Sequence, residues 1–260
     1  MKMIIFFILT SIHVAFFTPH SLITRHSLDY RVFNSTCSFY DKDTGKVLHT
    51  DIFDSLKLGR LGLGRRAFDY AMIGHSYLRT KGMLKNDRII SIVDFSLPSN
   101  RKRLFILDLK SFKLLFVTYV AHGKNSGVDF AFYFSNSAES NKSSVGFYTT
   151  LNTYTGTHGY SLRLNGFEKG FNDQAQERDI VIHNADYVSE NVIKSQGYIG
   201  RSLGCPAISP DIYKQVISSI KNGTCLFIYG NDSRYVMNSK LLKEKVKMQT
   251  EKGAHISPAL

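Results

Sequence analysis

The chain has no tryptophan, only three cysteines, and too few acidic residues to balance its basic ones: 21 Asp and Glu against 33 Lys and Arg in 260 residues. Each shortage excludes something. With three cysteines and no C-x-x-C pair, a structural zinc site is not supported. The odd count also leaves a cysteine over in any disulfide scheme. A Cys37–Cys225 bridge with Cys205 free is one account, and three reduced thiols is another. No apolar run is long enough for a confident membrane span, since the strongest, Met3 to Phe17, is broken by Thr10, Ser11 and His13. No internal repeat is visible. Basic residues are nowhere interleaved with aromatics at the spacing of a nucleic-acid module, so the net charge of +12 does not point to DNA or RNA. It fits an anionic polymer or lipid surface as a partner, or solubility alone. The missing tryptophan does not preclude a core, because 19 Phe and 14 Tyr are available.

What is present begins with Lys2 and the apolar run behind it, which together read as the charged and apolar regions of a secretory signal. Residues 1–20 are therefore expected to be a signal peptide or, if "FFTPHS" is not cleaved, an N-terminal membrane anchor; a buried first strand is the structural alternative. Residues 21–87 form a partly helical region. Within it Phe68, Ala71, Met72, His75 and Leu78 recur at helical spacing, predicting an amphipathic helix that ends at Gly82. His75 on that stripe reads as a core histidine. From residue 88 the pattern turns to strands. "RIISIVDFSL" is a β-branched run, and "LFILDLKS" and "KLLFVTYVAHG" read as a hairpin. "GVDFAFYFSNSAESNKSSVGFYTTL" carries strand-like aromatics around a Ser/Asn-rich loop. "HGYSLRLNG", "RDIVIHNADYVS" and "TCLFIYG" are further strands. "SPDIYKQVISSIKNG" is a helix over 210–221 with Ile212, Val216, Ile217 and Ile220 on one face. Residues 88–232 are thus predicted to be one mainly β domain with flanking helices, followed by a solvated basic tail over 233–260.

One cysteine is out of place in this pattern. Cys225 lies inside an apolar run, as a structural cysteine does. Cys205, in "GRSLGCPAIS", lies between bare Gly204 and Pro206, a setting suited to a thiol that meets a ligand. His183 stands at the end of the apolar run "DIVIH", and Gly197, Gly200 and Gly204 allow the intervening chain to fold back to it. An imidazole beside a thiol takes its proton and stabilises the thiolate, the nucleophile of acyl transfer. Backbone N–H groups at Leu203–Gly204–Cys205 would stabilise the oxyanion, and the helix predicted from 210 would begin just beyond.

The segments "TYVAHGKNSG", "FSNSAESNKSSVGFYTT", "GTHGYSLRLNGFEKGFNDQAQERDIVIHNADYV" and "GRSLGCPA", in that order, resemble the murein L,D-transpeptidase catalytic domains, in a divergent branch of the YkuD-like family. The resemblance runs from about residue 52 to about residue 231. It implies a YkuD-like β-sandwich with a helix beside the catalytic loop, in a bacterial periplasm or envelope. Cys205 would be the nucleophile and His183 its base. Ser202, Leu203 and Gly204 would form the catalytic loop, with Gly204 helping to build the oxyanion hole. His122, His158, Arg163 and Arg201 would serve substrate binding or site architecture. The substrate would be a peptidoglycan stem peptide. Cys205 attacks the carbonyl of its third residue, expels the terminal D-Ala, and passes the acyl group to an amine of a neighbouring stem. No metal or cofactor is implied, and acylation by carbapenems is. Two departures stand out: Leu203 replaces the histidine of the usual Ser-His-Gly-Cys, and Ala207 stands where Asn or Arg is common. Arg201 could supply the missing positive group for a substrate carboxylate. Two rival functions remain: an L,D-carboxypeptidase that uses water as acceptor, and a catalytically silent wall-binding module.

Overall fold

The computed structural model describes residues 52–243 and a short antiparallel pair before them, β1 (Phe39–Tyr40) and β2 (Val47–Leu48). Then come helices α1 (Ile52–Ser55) and α2 (Arg65–Thr80), followed by strands β3 (Ile89–Asp94), β4 (Leu104–Asp108), β5 (Lys113–Thr118) and β6 (Val120–Ala121). Strands β7 (Gly146–Gly156), β8 (Gly159–Gly166) and β9 (Val181–Asn184) lead to helix α3 (Glu190–Gln196) and strand β10 (Ala207–Ile208). Helix α4 (Tyr213–Ile220), strand β11 (Cys225–Tyr229) and helix α5 (Ser233–Asn238) complete the order. Cys37 and the Met3–Phe17 run lie outside the described residues. Among the described residues no helix is long and apolar enough to cross a membrane.

Nine strands form one mixed sheet in the order β5-β4-β3-β11-β7-β8-β9-β10-β6. β11 runs parallel to β3 and β10 parallel to β9, and the other neighbours are antiparallel. The end strands β5 and β6 are one stretch of chain, separated only by Tyr119. The sheet therefore folds over until its two ends meet, which leaves little unpaired edge. This is the mainly β architecture with flanking helices that the strand-rich pattern implies. Strands β3, β4 and β11 are buried at every position. That explains why their sequences are continuous apolar runs rather than alternating ones.

Helix α2 packs on β3 and β11, and its Phe68, Met72 and Leu78 share one core with Ile90, Ile92, Phe147 and Phe227. The segment before residue 88 thus belongs to the same core as the strands after it. His75 is buried in this helix and meets the Asp87 carbonyl at 2.8 Å, a core histidine as expected. Burial pushes its pKa down to about 4. Cys225 is a free, fully buried thiol in β11.

Four features differ from the sequence reading. The aromatic stretch after Gly127 forms no strand; Ser126 O accepts both the Phe132 and Tyr133 N–H groups, so that backbone has no ladder to join. An unforeseen helix, α3, stands between His183 and Cys205, capped by Ser189 Oγ and ended by Gly197 at φ 88°. The helix expected from residue 210 begins at Tyr213, so Cys205 runs into strand β10 rather than a helix N-terminus. The tail expected to be solvated is docked at its start, where Tyr235, Ser239, Leu241 and Leu242 are buried. The buried Glu168 carboxylate is the reason. It accepts hydrogen bonds from Tyr235 Oη at 2.9 Å, Ser239 Oγ and the Phe147 N–H at 2.9 Å. Residues 244–260 lie outside the described chain.

Helix α2 reaches the sheet at Gly74, where an added Cβ would stand 2.0 Å from the Phe147 ring. That ring is itself stacked on Phe227 with centroids 4.2 Å apart, so it has nowhere to move. Gly74→Ala is expected to destabilise the fold by about 1–3 kcal/mol through overpacking, outweighing the ~1 kcal/mol that Ala gains over Gly in a helix. Equilibrium urea unfolding tests the sign, and a more stable variant would contradict this packing.

Candidate active site

The loop that carries Cys205 hangs from the segment after β6. Ser202 N–H donates to the His122 carbonyl at 2.9 Å, and Lys124 N–H donates to the Ser202 carbonyl at 2.8 Å. Ser143 Oγ accepts from the Gly123 N–H at 3.0 Å and donates to the Gly204 carbonyl at 3.3 Å. Glycine at 123 is needed for this approach, since a Cβ there would lie 3.0 Å from Gly204 Cα and closer still to the Asn141 carbonyl. Beneath the segment lies Arg103, a fully buried cation. It donates to the Val120 carbonyl at 3.0 Å, the Leu97 carbonyl at 2.8 Å and His122 Nδ1 at 2.7 Å. A guanidinium only donates, so Nδ1 is the acceptor and Nε2 carries the hydrogen, donated to the Gly127 carbonyl at 3.2 Å. Burial and the adjacent Arg103 push the His122 pKa down to about 4. His122 is therefore a buried neutral support of the loop, with both ring nitrogens engaged.

Ser202 Oγ locks the loop from within. It donates to the Cys205 carbonyl at 2.6 Å and accepts the Gly204 N–H at 3.0 Å. Gly204, at φ 133°, makes the turn. Its N–H, the donor expected for the oxyanion, is thus committed to Ser202. The N–H groups of Leu203 and Cys205 make no hydrogen bond among the described residues.

Strand β10 pairs Ala207 with His183 and Ile208 with Asn184. Two residues earlier, Cys205 comes level with Val181, whose N–H meets its sulfur. The β9–β10 pairing thus brings the Cys205 loop alongside the strand that carries His183. No hydrogen bond joins Cys205 to His183 among the described residues. The Cys205 Sγ–H is directed instead at the Asp179 carbonyl, 3.5 Å away. His183 Nδ1 meets the Asn184 carbonyl at 2.8 Å and must donate to it. The neutral ring then holds its lone pair on Nε2, which makes no hydrogen bond among the described residues. The His158 ring, in the turn between β7 and β8, stacks on His183 with centroids 4.4 Å apart. Burial lowers the His183 pKa and raises that of Cys205. Both effects favour the neutral forms. The resting pair is a thiol and a neutral imidazole, not the preformed ion pair that two adjacent residues in sequence logic suggest.

Arg163 in β8 pairs with Val181, with strand β9 between it and the Cys205 loop. It is exposed and lies over the Tyr154 ring at 4.3 Å. Arg201 is also exposed, with Nη1 leaning on the Lys124 and Gly127 carbonyls at 3.4 and 3.3 Å. Leu203 is 66% exposed and puts an apolar side chain where the usual motif has an imidazole. Two residues escaped the sequence reading. Arg178 contacts the catalytic loop at Gly204, and Tyr187 packs under Gly200, where a Cβ would lie 2.5 Å from its own Cβ. The Tyr187 phenol is pushed up to about 12, by burial first and by the nearby Cys205 second. Both lie in a segment that carries the family resemblance, but nothing in its pattern marks their roles; only the fold brings them to the thiol. Among the described residues no group of three His, Cys, Asp or Glu side chains is arranged to hold a metal ion.

Residues 60–229 match the family described as the L,D-transpeptidase catalytic domain. No curated protein matches the sequence. Among solved structures, an L,D-transpeptidase from Mycobacterium smegmatis is similar at 13% identity and a TM-score of 0.35, over 55% of this chain and 59% of that one. An L,D-transpeptidase solved in complex with imipenem is similar at 14% identity and a TM-score of 0.34, over 55% of this chain and 59% of that one. An L,D-transpeptidase from Stackebrandtia nassauensis is similar at 15% identity and a TM-score of 0.33, over 65% of this chain and 69% of that one. The match thus spans well under two thirds of the length of the first two.

The neutral resting pair has a measurable consequence. A cysteine raised by burial ionises later than an ordinary thiol of pKa about 8.5, so iodoacetamide labelling of Cys205 should still be climbing above that pH. A labelling rate already at its plateau near pH 6 to 7 would instead reveal a thiolate–imidazolium pair.

Proposed function

Because the chain belongs to the L,D-transpeptidase catalytic-domain family, we propose that it transfers acyl groups between peptidoglycan stem peptides through a thioester on Cys205. The observation that supports this best is the β9–β10 pairing, which brings the Cys205 loop alongside His183, whose Nε2 is available as a base. When a stem peptide enters, the Sγ–H proton passes to His183 Nε2 as the sulfur bonds the carbonyl carbon of the third residue. The oxyanion forms beside the Cys205 N–H, which the Gly204 turn leaves uncommitted. Collapse breaks the C–N bond, His183 returns its proton to the departing D-Ala amine, and the thioester remains. The amine of a second stem then attacks the thioester and gives its proton to His183, which passes it to the sulfur as the C–S bond breaks, restoring the thiol and the neutral imidazole. Arg163 and Arg201, on opposite sides of the thiol, would receive the carboxylates of the stems by their planar forks. The chemistry belongs outside the cytoplasm, where the polymer lies and where the N-terminal run would direct the chain; a reporter fusion active only after export tests this.

Disaccharide-tetrapeptide incubated with the protein should yield cross-linked dimer and free D-Ala, read by mass. Tripeptide alone would make the enzyme a carboxypeptidase, and an unchanged substrate would make it a wall-binding module. Cys205→Ala should abolish turnover, and His183→Ala should lower it by about a hundredfold or more. Imipenem, held by a related structure, should add its full mass once per chain on the peptide containing Cys205. An adduct on another residue, or one that persists in Cys205→Ala, removes Cys205 as the nucleophile.

A further inference from the structure

Beside the thiol stands a cation to which the sequence pattern assigns no role. Arg178 closes the turn before β9, and its guanidinium is fixed by four hydrogen bonds to one segment. Nη1 donates to the Ser135 carbonyl at 2.8 Å and to Ser144 Oγ at 2.5 Å. Nη2 donates to the Lys142 carbonyl at 2.8 Å and to Ser140 Oγ at 3.4 Å. All four acceptors are neutral, so the charge is not cancelled by a carboxylate partner. A Cβ on Gly204 would lie 3.3 Å from Nη2, so the bare glycine lets the guanidinium press against the backbone just ahead of Cys205. In the same loop Leu203 leaves no cation at the place of the usual histidine.

We propose that Arg178 is a positioning residue that supplies a fixed positive charge beside the Cys205 sulfur. The proposal rests on Cys205 being the nucleophile. The thiol proton still goes to His183, and Arg178 neither gives nor takes one. It lowers the energy of the sulfur anion that the proton leaves behind. The other titratable groups around the sulfur are His183 in the neighbouring strand β9, the Tyr187 phenol, and the Asp179 carboxylate, whose charge opposes that of Arg178. From the 135–144 segment, the Lys142 ammonium lies over the Tyr133 ring. The attraction of Arg178 works against the burial that raises the thiol. An opposite charge at this range moves a titration by about one unit or more.

The test reads the sulfur directly, without turnover. Iodoacetamide labelling of Cys205 in the full-length chain is followed by peptide mass from about pH 5 to about pH 10. Arg178→Gln should shift the profile upward and slow labelling at neutral pH by about tenfold. Arg178→Lys keeps the charge but not the fork, and should stay within about twofold of wild type at neutral pH. Asp179→Asn should shift the profile the other way; residue 179 sits at φ 49°, which asparagine tolerates. A purely structural role would lower stability in both Arg178 variants without moving the profile. The proposal is overturned if the Gln profile overlays wild type, or if Lys shifts as far as Gln. If the Gln variant does not fold, Arg178→Met takes its place with the same outcomes: an upward shift upholds the proposal and an overlay with wild type overturns it. Loss of the nucleophile assignment would show separately, as turnover surviving in Cys205→Ala.

Discussion

Arg103 carries a full charge in the interior, and the site depends on how that charge is satisfied. Burial lowers its pKa to about 9, with Asp129 and Asp94 acting in the opposite sense, and the Phe95 ring lies 4.8 Å from the guanidinium. A buried cation without partners is strongly destabilising, so its donors hold the Leu97 and Val120 carbonyls and the His122 ring in place. His122 fixes the strand end from which Ser202 hangs, Ser202 locks Gly204 and Cys205, and β10 then lies against β9. β10 has two residues only. Two residues of pairing cannot position a nucleophile by themselves, and the buried polar network supplies the rest of the rigidity.

The chemistry that results is held in reserve. Burial lowers the basicity of His183 and the acidity of Cys205, so the proton stays on sulfur in the free protein. A neutral thiol aimed at a carbonyl oxygen is a poor target for stray oxidants and electrophiles. In the proposed mechanism, substrate binding brings the thiol proton and the His183 lone pair together. The π-stacked His158 ring supports the imidazole in the orientation that the Asn184 carbonyl imposes. A base of low pKa still serves here, because the proton it takes in one step is returned in the next.

Much of the architecture was legible from local pattern. The helix over α2, the β4–β5 hairpin, the apolar runs of β3 and β11 and the core role of His75 follow from periodicity and burial, which act over a few residues. The prominence of Cys205 came from its neighbours Gly204 and Pro206, and that of His183 from its place at the end of an apolar run. Other features were out of reach. "VDFAFYF" has strand-like residues but no strand to pair with. Arg103 stands in the polar stretch "PSNRKR" between β3 and β4, where no local signal distinguishes a buried arginine from an exposed one. Tyr235 and Ser239 sat in a segment of tail-like composition and are buried through Glu168, which is 67 residues from Tyr235 and 71 from Ser239 in the chain.

The sequence by itself determined which groups the site can use: a thiol between glycine and proline, an imidazole ending a strand, a leucine in place of a second histidine, and an excess of positive charge. It also determined the family, because the motifs occur in order along the chain. Only the tertiary structure decided what those groups do at rest. The pairing of β10 on β9 brought the thiol loop alongside the imidazole, and burial favoured their neutral forms. The Ser202 latch withdrew the Gly204 N–H, and the turn before β9 brought Arg178 to the loop. Each of these is a relation between segments distant in the chain. Protonation follows desolvation and neighbouring charge, and both exist only once distant segments have packed.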